Sequence, residues 1–164
     1  MGVVLAGAGQ VWHTAAKREK ERELLFVGNQ YRQALGRYYE ASPGAKQYPA
    51  KLEELVEDKR FPKPQRHLRK LYADPMTGHA KWGLVLAAGR ITGVHSLSED
   101  VPLKTGNFAK VDAEFAQRTR YVDWRFVHRP DAMPEGTSGA AAEPDAGAGP
   151  VPEIGSSPLV PAAQ

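Results

Sequence analysis

A chain of 164 residues without cysteine is long enough for one domain with a core and too short for two full ones. The missing thiols exclude a disulfide framework, a thiolate metal site and cysteine-based nucleophilic catalysis. Basic residues outnumber acidic ones by only 22 to 19, but none follows Arg129, so residues 1–130 hold 22 basic against 14 acidic side chains, a net of +8. A globular part this basic suits an anionic lipid surface, a nucleic acid or an acidic protein.

Residues 1–16, "MGVVLAGAGQVWHTAA", carry no formal charge, and the uninterrupted block "KREKERE" (Lys17–Glu23) follows. Leu24, Val27, Tyr31, Leu35 and Tyr38 then recur every three or four residues, the spacing of one helical face. The charged block fits the same helix. Lys17–Glu21, Arg18–Glu21, Glu19–Arg22 and Lys20–Glu23 are opposite-sign pairs at helical spacing, each worth ~0.2–0.5 kcal/mol. No proline occurs before Pro43, and "SPG" (Ser42–Gly44) is a stop signal. One helix is therefore expected from about Val3 to about Ala41. Its uncharged start measures about 24 Å, short of the ~30 Å hydrocarbon core. Two readings fit it: a buried core helix, or the C-terminal part of a membrane helix whose interfacial end is marked by Trp12, Lys17 and Arg18.

Past the stop, Gln47–Phe61 is expected to hold a short helix, with Pro49 in its first turn and Leu52, Leu55 and Val56 on its apolar side. The run Lys59–Lys70 contains six Lys or Arg plus His67, flanked by Phe61 and Tyr72. Its two prolines break it, so a solvated basic loop is expected rather than a groove-filling helix. In "LYADPMTGHAKWGLV" (Leu71–Val85), Asp74, Pro75 and Gly78 predict a tight structural turn, with Pro75 fixing its own φ and Gly78 free to take positive φ. Strands are expected at Lys81–Ala87 and Ile91–Ser96, forming an antiparallel hairpin across "AGR". Arg120–His128 is expected as a last strand, alternating so that Val122, Trp124 and Phe126 face inward. Residues 131–164 contain six prolines, five glycines and eight alanines with few large apolar side chains, which predicts a disordered tail.

The chemistry-bearing residues do not converge. His13, His67, His79, His95 and His128 lack ligand spacing, and nothing groups a nucleophile, a base and an orienting residue, so no enzyme and no catalytic or cofactor-binding residue is expected. Glu99 and Asp100, beside Ser96 and Ser98, form an oxygen-rich loop that could take calcium or simply be solvated.

A long N-terminal helix, apolar and then amphipathic, ahead of a small antiparallel sheet is the layout of type IV pilin-like proteins. The segments "ELLFVGNQYRQAL", "YYEASPG" with the following "YPAKLEEL", "DPMTG" with the following "WGL", "ITGVHSLSEDVPLK" and "YVDWRFV" resemble the type II secretion pseudopilins, in the branch of the major pseudopilin, from about Val3 to about Val127. The resemblance implies an α+β, pilin-like fold: a long helix packed on a small sheet, with the disordered tail appended. It implies a division into residues 1–16 as the end of a membrane or filament-core helix and residues 17–130 as a periplasmic domain. It implies a non-enzymatic, single-pass inner-membrane subunit that polymerises with other pseudopilins on the inner-membrane secretion platform and drives protein export. Leu24, Val27, Tyr31, Leu35, Tyr38, Trp82, Trp124 and Phe126 are then its packing and assembly residues, membrane lipid a partner, and nucleic acid not one. The family's signature, a short basic leader ending in Gly, then Phe-Thr-Leu and a Glu, does not occur; it would lie roughly fifteen residues upstream of Met1. The family's calcium loop is matched in part by Ser96–Asp100 and the metal is not carried over. Two other functions fit the residues: a minor pilin of a type IV pilus or DNA-uptake system, and a soluble basic binding module.

Overall fold

The computed structural model describes residues 6–130, with side chains from Trp12 onward. The expected first turn at residues 3–5 and the expected tail, 131–164, lie outside the described residues.

Helix α1 runs from Ala6 to Glu40, 35 residues and about 52 Å at 1.5 Å per residue. Leu24, Val27, Tyr31, Ala34, Leu35 and Tyr38 are buried along its sheet-facing side. Two helical glycines belong to the same face. A Cβ on Gly28 would lie 2.5 Å from three ring atoms of Phe126, and one on Gly36 would lie 2.8 Å from the His128 ring. Each glycine weakens the helix by about 1 kcal/mol relative to alanine, and here each lets a ring from the 126–128 segment reach the helix backbone. The helix ends at the "SPG" signal: Ser42 Oγ donates to the Tyr38 carbonyl at 3.2 Å, and Gly44 takes φ 85°.

Strand β1 (Gly83–Ala87), β2 (Arg90–His95) and β3 (Arg125–Val127) form one antiparallel sheet in the order β1-β2-β3. Ala88 and Gly89 close the hairpin with φ of 48° and 72°, the two left-handed positions that a two-residue turn needs to follow strand twist. The β1–β2 register shifts between Val85 and Leu86, which leaves Thr92 as the extra residue, its hydroxyl on the Val85 carbonyl at 3.2 Å. This bulge turns Ile91 and Val94, three apart in sequence, onto the same inner face, and both are buried.

Two expected elements differ. Gln47–Phe61 holds only a 3₁₀ turn, Leu52–Leu55. The Leu55 carbonyl accepts from the His67 and Leu68 amides at 2.8 and 2.7 Å, so the returning basic loop occupies the acceptor that helix continuation would need. Leu55 is buried, while Leu52 and Val56 are partly so. The expected strand Arg120–His128 begins instead as a 3₁₀ turn, Tyr121–Asp123, because the Tyr121 and Val122 amides donate to the Asp100 and Ser98 carbonyls. Strict alternation would put Tyr121 on the outer face, but it is fully buried. Trp124 stacks on Phe115 at 5.4 Å, with the Phe108, Tyr121 and Phe126 rings completing an aromatic cluster. Phe115 comes from a further 3₁₀ segment, Lys110–Gln117.

Candidate functional site

The surface that could carry function is α1 itself, and its chemistry follows from how the rest of the chain is fastened along it. Lowest on the helix, the Lys17 ammonium donates to the Val101 carbonyl at 2.8 Å. One turn later Glu21 is buried, and its Oε1 accepts from the Leu103 amide (2.6 Å), the Lys104 amide (3.1 Å) and the Tyr121 hydroxyl (2.8 Å). Glu21 is therefore taken up by the 103–104 backbone and Tyr121 rather than by the expected Lys17 and Arg18 pairs. Of the four expected pairs, Glu19–Arg22 closes at 3.1 Å between exposed side chains. Burial, then the hydrogen bond to Glu21, pushes the Tyr121 phenol well above its ordinary range.

Midway up, Arg32 Nη2 lies 2.8 Å from Asp112 Oδ1 with both side chains nearly sealed from solvent, and Asn29 bridges them, accepting from Arg32 at 2.6 Å and donating to Asp112 at 3.1 Å. The same level holds Tyr31, whose ring is 5.2 Å from that of Trp82 and whose oxygen bonds the Tyr72 backbone. Burial pushes the Tyr31 phenol up to about 12.

The Asp74–Gly78 corner is tied to this level. Asp74 is buried and its carboxylate accepts from the Met76 amide (2.9 Å), the Thr77 hydroxyl (3.1 Å), the Ser96 hydroxyl (2.7 Å) and the Leu97 amide (3.2 Å). Gly78, at φ 74°, donates its amide to the Asp74 carbonyl. The corner thus pins the start of the Ser96–Asp100 loop with one carboxylate. Within that loop the Ser96 hydroxyl is given to Asp74, and the Ser98 and Asp100 carbonyls accept from Val122 and Tyr121, while Glu99 and Asp100 point to solvent. Among the described residues no three His, Asp or Glu side chains come together as a metal-ion group.

At the top of α1, Arg37 donates to the His67 carbonyl at 2.7 Å. Arg60 grips buried Asp58 through two nitrogens, at 2.8 and 2.7 Å, and lays its guanidinium 3.6 Å from the centre of the Tyr38 ring. His67 Nε2 is 3.0 Å from the same carboxylate. Burial alone would raise Asp58, but the hydrogen bonds from Arg60 and His67 outweigh it and hold the carboxyl at about 2. The expected basic loop is consequently two things: Arg60, His67 and Leu68 are built into the fold, and Lys63, Arg66, Arg69 and Lys70 are presented on a loop anchored at both ends. His128 packs against Gly36 and hydrogen-bonds Tyr48 at 2.9 Å, and burial lowers its pKa.

All eight packing residues named from the sequence are buried, and so are Phe115 and Tyr121, which periodicity does not single out. Below these anchors residues 12–16 are exposed, Trp12 by 77%. Among the described residues no helix is long and apolar enough to cross a membrane. No protein-family model, no curated protein and no solved structure matches the chain.

Proposed function

We propose that the chain is a structural subunit of a type II secretion pseudopilus, assembling through its N-terminal helix with other pseudopilins on the inner-membrane secretion platform and driving protein export. The observation that carries this reading is the division of α1. From Glu21 to Tyr38 buried side chains fasten the helix to the rest of the domain, whereas at residues 12–16 its surface is exposed, Trp12 by 77%. An indole ring left in water forgoes the gain of burial, so Trp12 calls for cover from outside the domain. In this reading the cover is membrane lipid first and neighbouring subunits after assembly, and the chain is a single-pass inner-membrane protein with a periplasmic domain. The sequence resemblance supports the same assignment, and the role is non-enzymatic.

Deleting the gene in its own host tests the proposal. Export of folded proteins to the medium should fail while their cellular levels persist, and the gene restored in trans should recover it. Unchanged export would refute the secretion role.

A further inference from the structure

The exposed charges of the domain are sorted along α1. At the upper level, next to the Arg37–His67 contact, Lys63, Arg66 and Arg69 are exposed and make no ion pair among the described residues. No acidic residue occurs between Asp58 and Asp74, so nothing within the segment offsets them. At the lower level, next to the Lys17–Val101 and Glu21–Leu103 contacts, Glu99 and Asp100 are exposed and likewise have no ion-pair partner among the described residues. The cations nearby in the fold are turned elsewhere: Lys17 to the Val101 carbonyl, Lys104 to the face of Phe108, 5.0 Å from its centroid, and Arg120 to Asp123 at 3.7 Å. Both loops are held by backbone anchors, so each presents its charge in a fixed place. Lys17 and Arg37 are 20 residues apart on one continuous helix, which separates the levels by about 30 Å along its axis. The two loops therefore cannot meet within one molecule.

We infer that the basic loop at Lys63–Arg69 binds the Glu99–Asp100 loop of a second copy of this chain, displaced by about 30 Å along the helix direction. The occupant is chosen by complementarity: unpaired cations at one end of the domain, unpaired carboxylates at the other, on the same polypeptide. A contact between two different patches is heterologous, and repeated without closure it generates an open helical array rather than a dimer. The inference rests on the filament reading above and supplies its axial contact.

The absence of native cysteine makes the test clean. The full-length chain carrying Arg66→Cys and Glu99→Cys together is expressed in membranes and oxidised. A disulfide needs Cα atoms within about 7 Å, so any bridge between these positions must join two molecules. The double variant should give a ladder of covalent multimers, and each single variant at most a dimer. In parallel, Arg66→Glu with Arg69→Glu should reduce amine-cross-linked multimers of the full chain at least tenfold, and adding Glu99→Arg with Asp100→Arg, which brings no new amine, should restore them. Thermal melting of each variant reports folding. If the unaltered chain multimerises but neither the ladder nor the restoration appears, the contact is refuted and the basic loop serves another acidic or phosphate-bearing partner, while the filament reading stands. If the unaltered chain gives no multimers with an amine cross-linker, both fall.

Discussion

Replacing Gly28 by alanine sets two effects of known size against each other. In an unconstrained helix interior the change should stabilise by about 1 kcal/mol, because alanine restricts the unfolded chain and favours the helix. Here the added methyl would lie 2.5 Å from Cδ1, Cδ2 and Cε1 of Phe126, at least 1 Å inside an ordinary carbon–carbon contact of about 3.5 Å. The ring cannot easily retreat. Phe115 packs edge-to-face against it at 5.1 Å, and the Arg32 guanidinium, fixed by Asp112, lies 5.5 Å from its centroid. Overpacking of a filled core costs about 1–3 kcal/mol and sometimes more, so Gly28→Ala should destabilise by up to roughly 2 kcal/mol net. Shortening the opposing side chain should reverse the sign: in a Phe126→Leu background, Gly28→Ala should be neutral or stabilising by up to about 1 kcal/mol. Urea unfolding of the four proteins measures this cycle. Stabilisation by Gly28→Ala in the unaltered chain would show that the helix and β3 are not in the described contact.

Four further outcomes are expected. Leu35→Ala, at a fully buried site, should cost on the order of 2–5 kcal/mol in the same assay, and a loss below about half a kcal/mol would take the apolar stripe out of the core. Glu21→Ala leaves three donors without their acceptor and should cost about 3–5 kcal/mol, against about 1 kcal/mol for Glu21→Gln, which keeps one oxygen; equal losses would mean the carboxylate is not the anchor of the 103–104 backbone. Because the Asp58 carboxyl is held at about 2 from an ordinary 3.8, its contribution is complete above pH ~4 and lost as pH falls towards 2. It amounts to roughly 2 kcal/mol, and Asp58→Asn should flatten that part of a stability–pH curve. The lowered pKa of His128 favours the neutral ring in the fold, so stability linked to it should be complete above about pH 6.5 and decline on acidification through the lower folded value, a slope that His128→Gln should remove.

The long helix was legible because Leu24 to Tyr38 repeat burial at a period of about 3.6, and the hairpin because two short apolar runs flank turn residues at Ala88–Gly89, although burial along β1 and β2 does not alternate. The Asp74–Gly78 turn could be read from local backbone preference, but the use of the Asp74 carboxylate could not, since Ser96 and Leu97 arrive more than twenty residues later. Glu21 was invisible for a related reason. Inside "KREKERE" every residue has a helical neighbour of opposite sign, and only the tertiary fold removes one of them from solvent. Tyr121 and Phe115 belong to 3₁₀ segments too short to establish a period, and the Lys110–Gln117 segment enters the core through Asp112 and Phe115. The proposed assembly surface follows the same division: the uncharged stretch ahead of Lys17 can be read from composition, whereas the sorting of exposed charge to opposite ends depends on which of the loop cations the fold consumes.

The anchors along α1 also impose an order on biogenesis. The helix is synthesised first, yet its fasteners come last: Val101 for Lys17, Leu103 and Tyr121 for Glu21, Asp112 for Asn29 and Arg32, and Phe126 for Gly28. The bond from Tyr121 to Glu21 spans 100 residues of chain. Contacts this distant in sequence slow folding, because a long loop must close before any of them contributes. The apolar stripe of α1 must therefore remain without its permanent partner until nearly the whole domain has left the ribosome or a membrane channel. During that interval the helix needs a holder, and any stalled or clipped chain ending before Phe126 would keep the stripe bare. Such fragments should be the species that chaperones retain and proteases remove, whereas cleavage after β3 leaves every one of these fasteners in place.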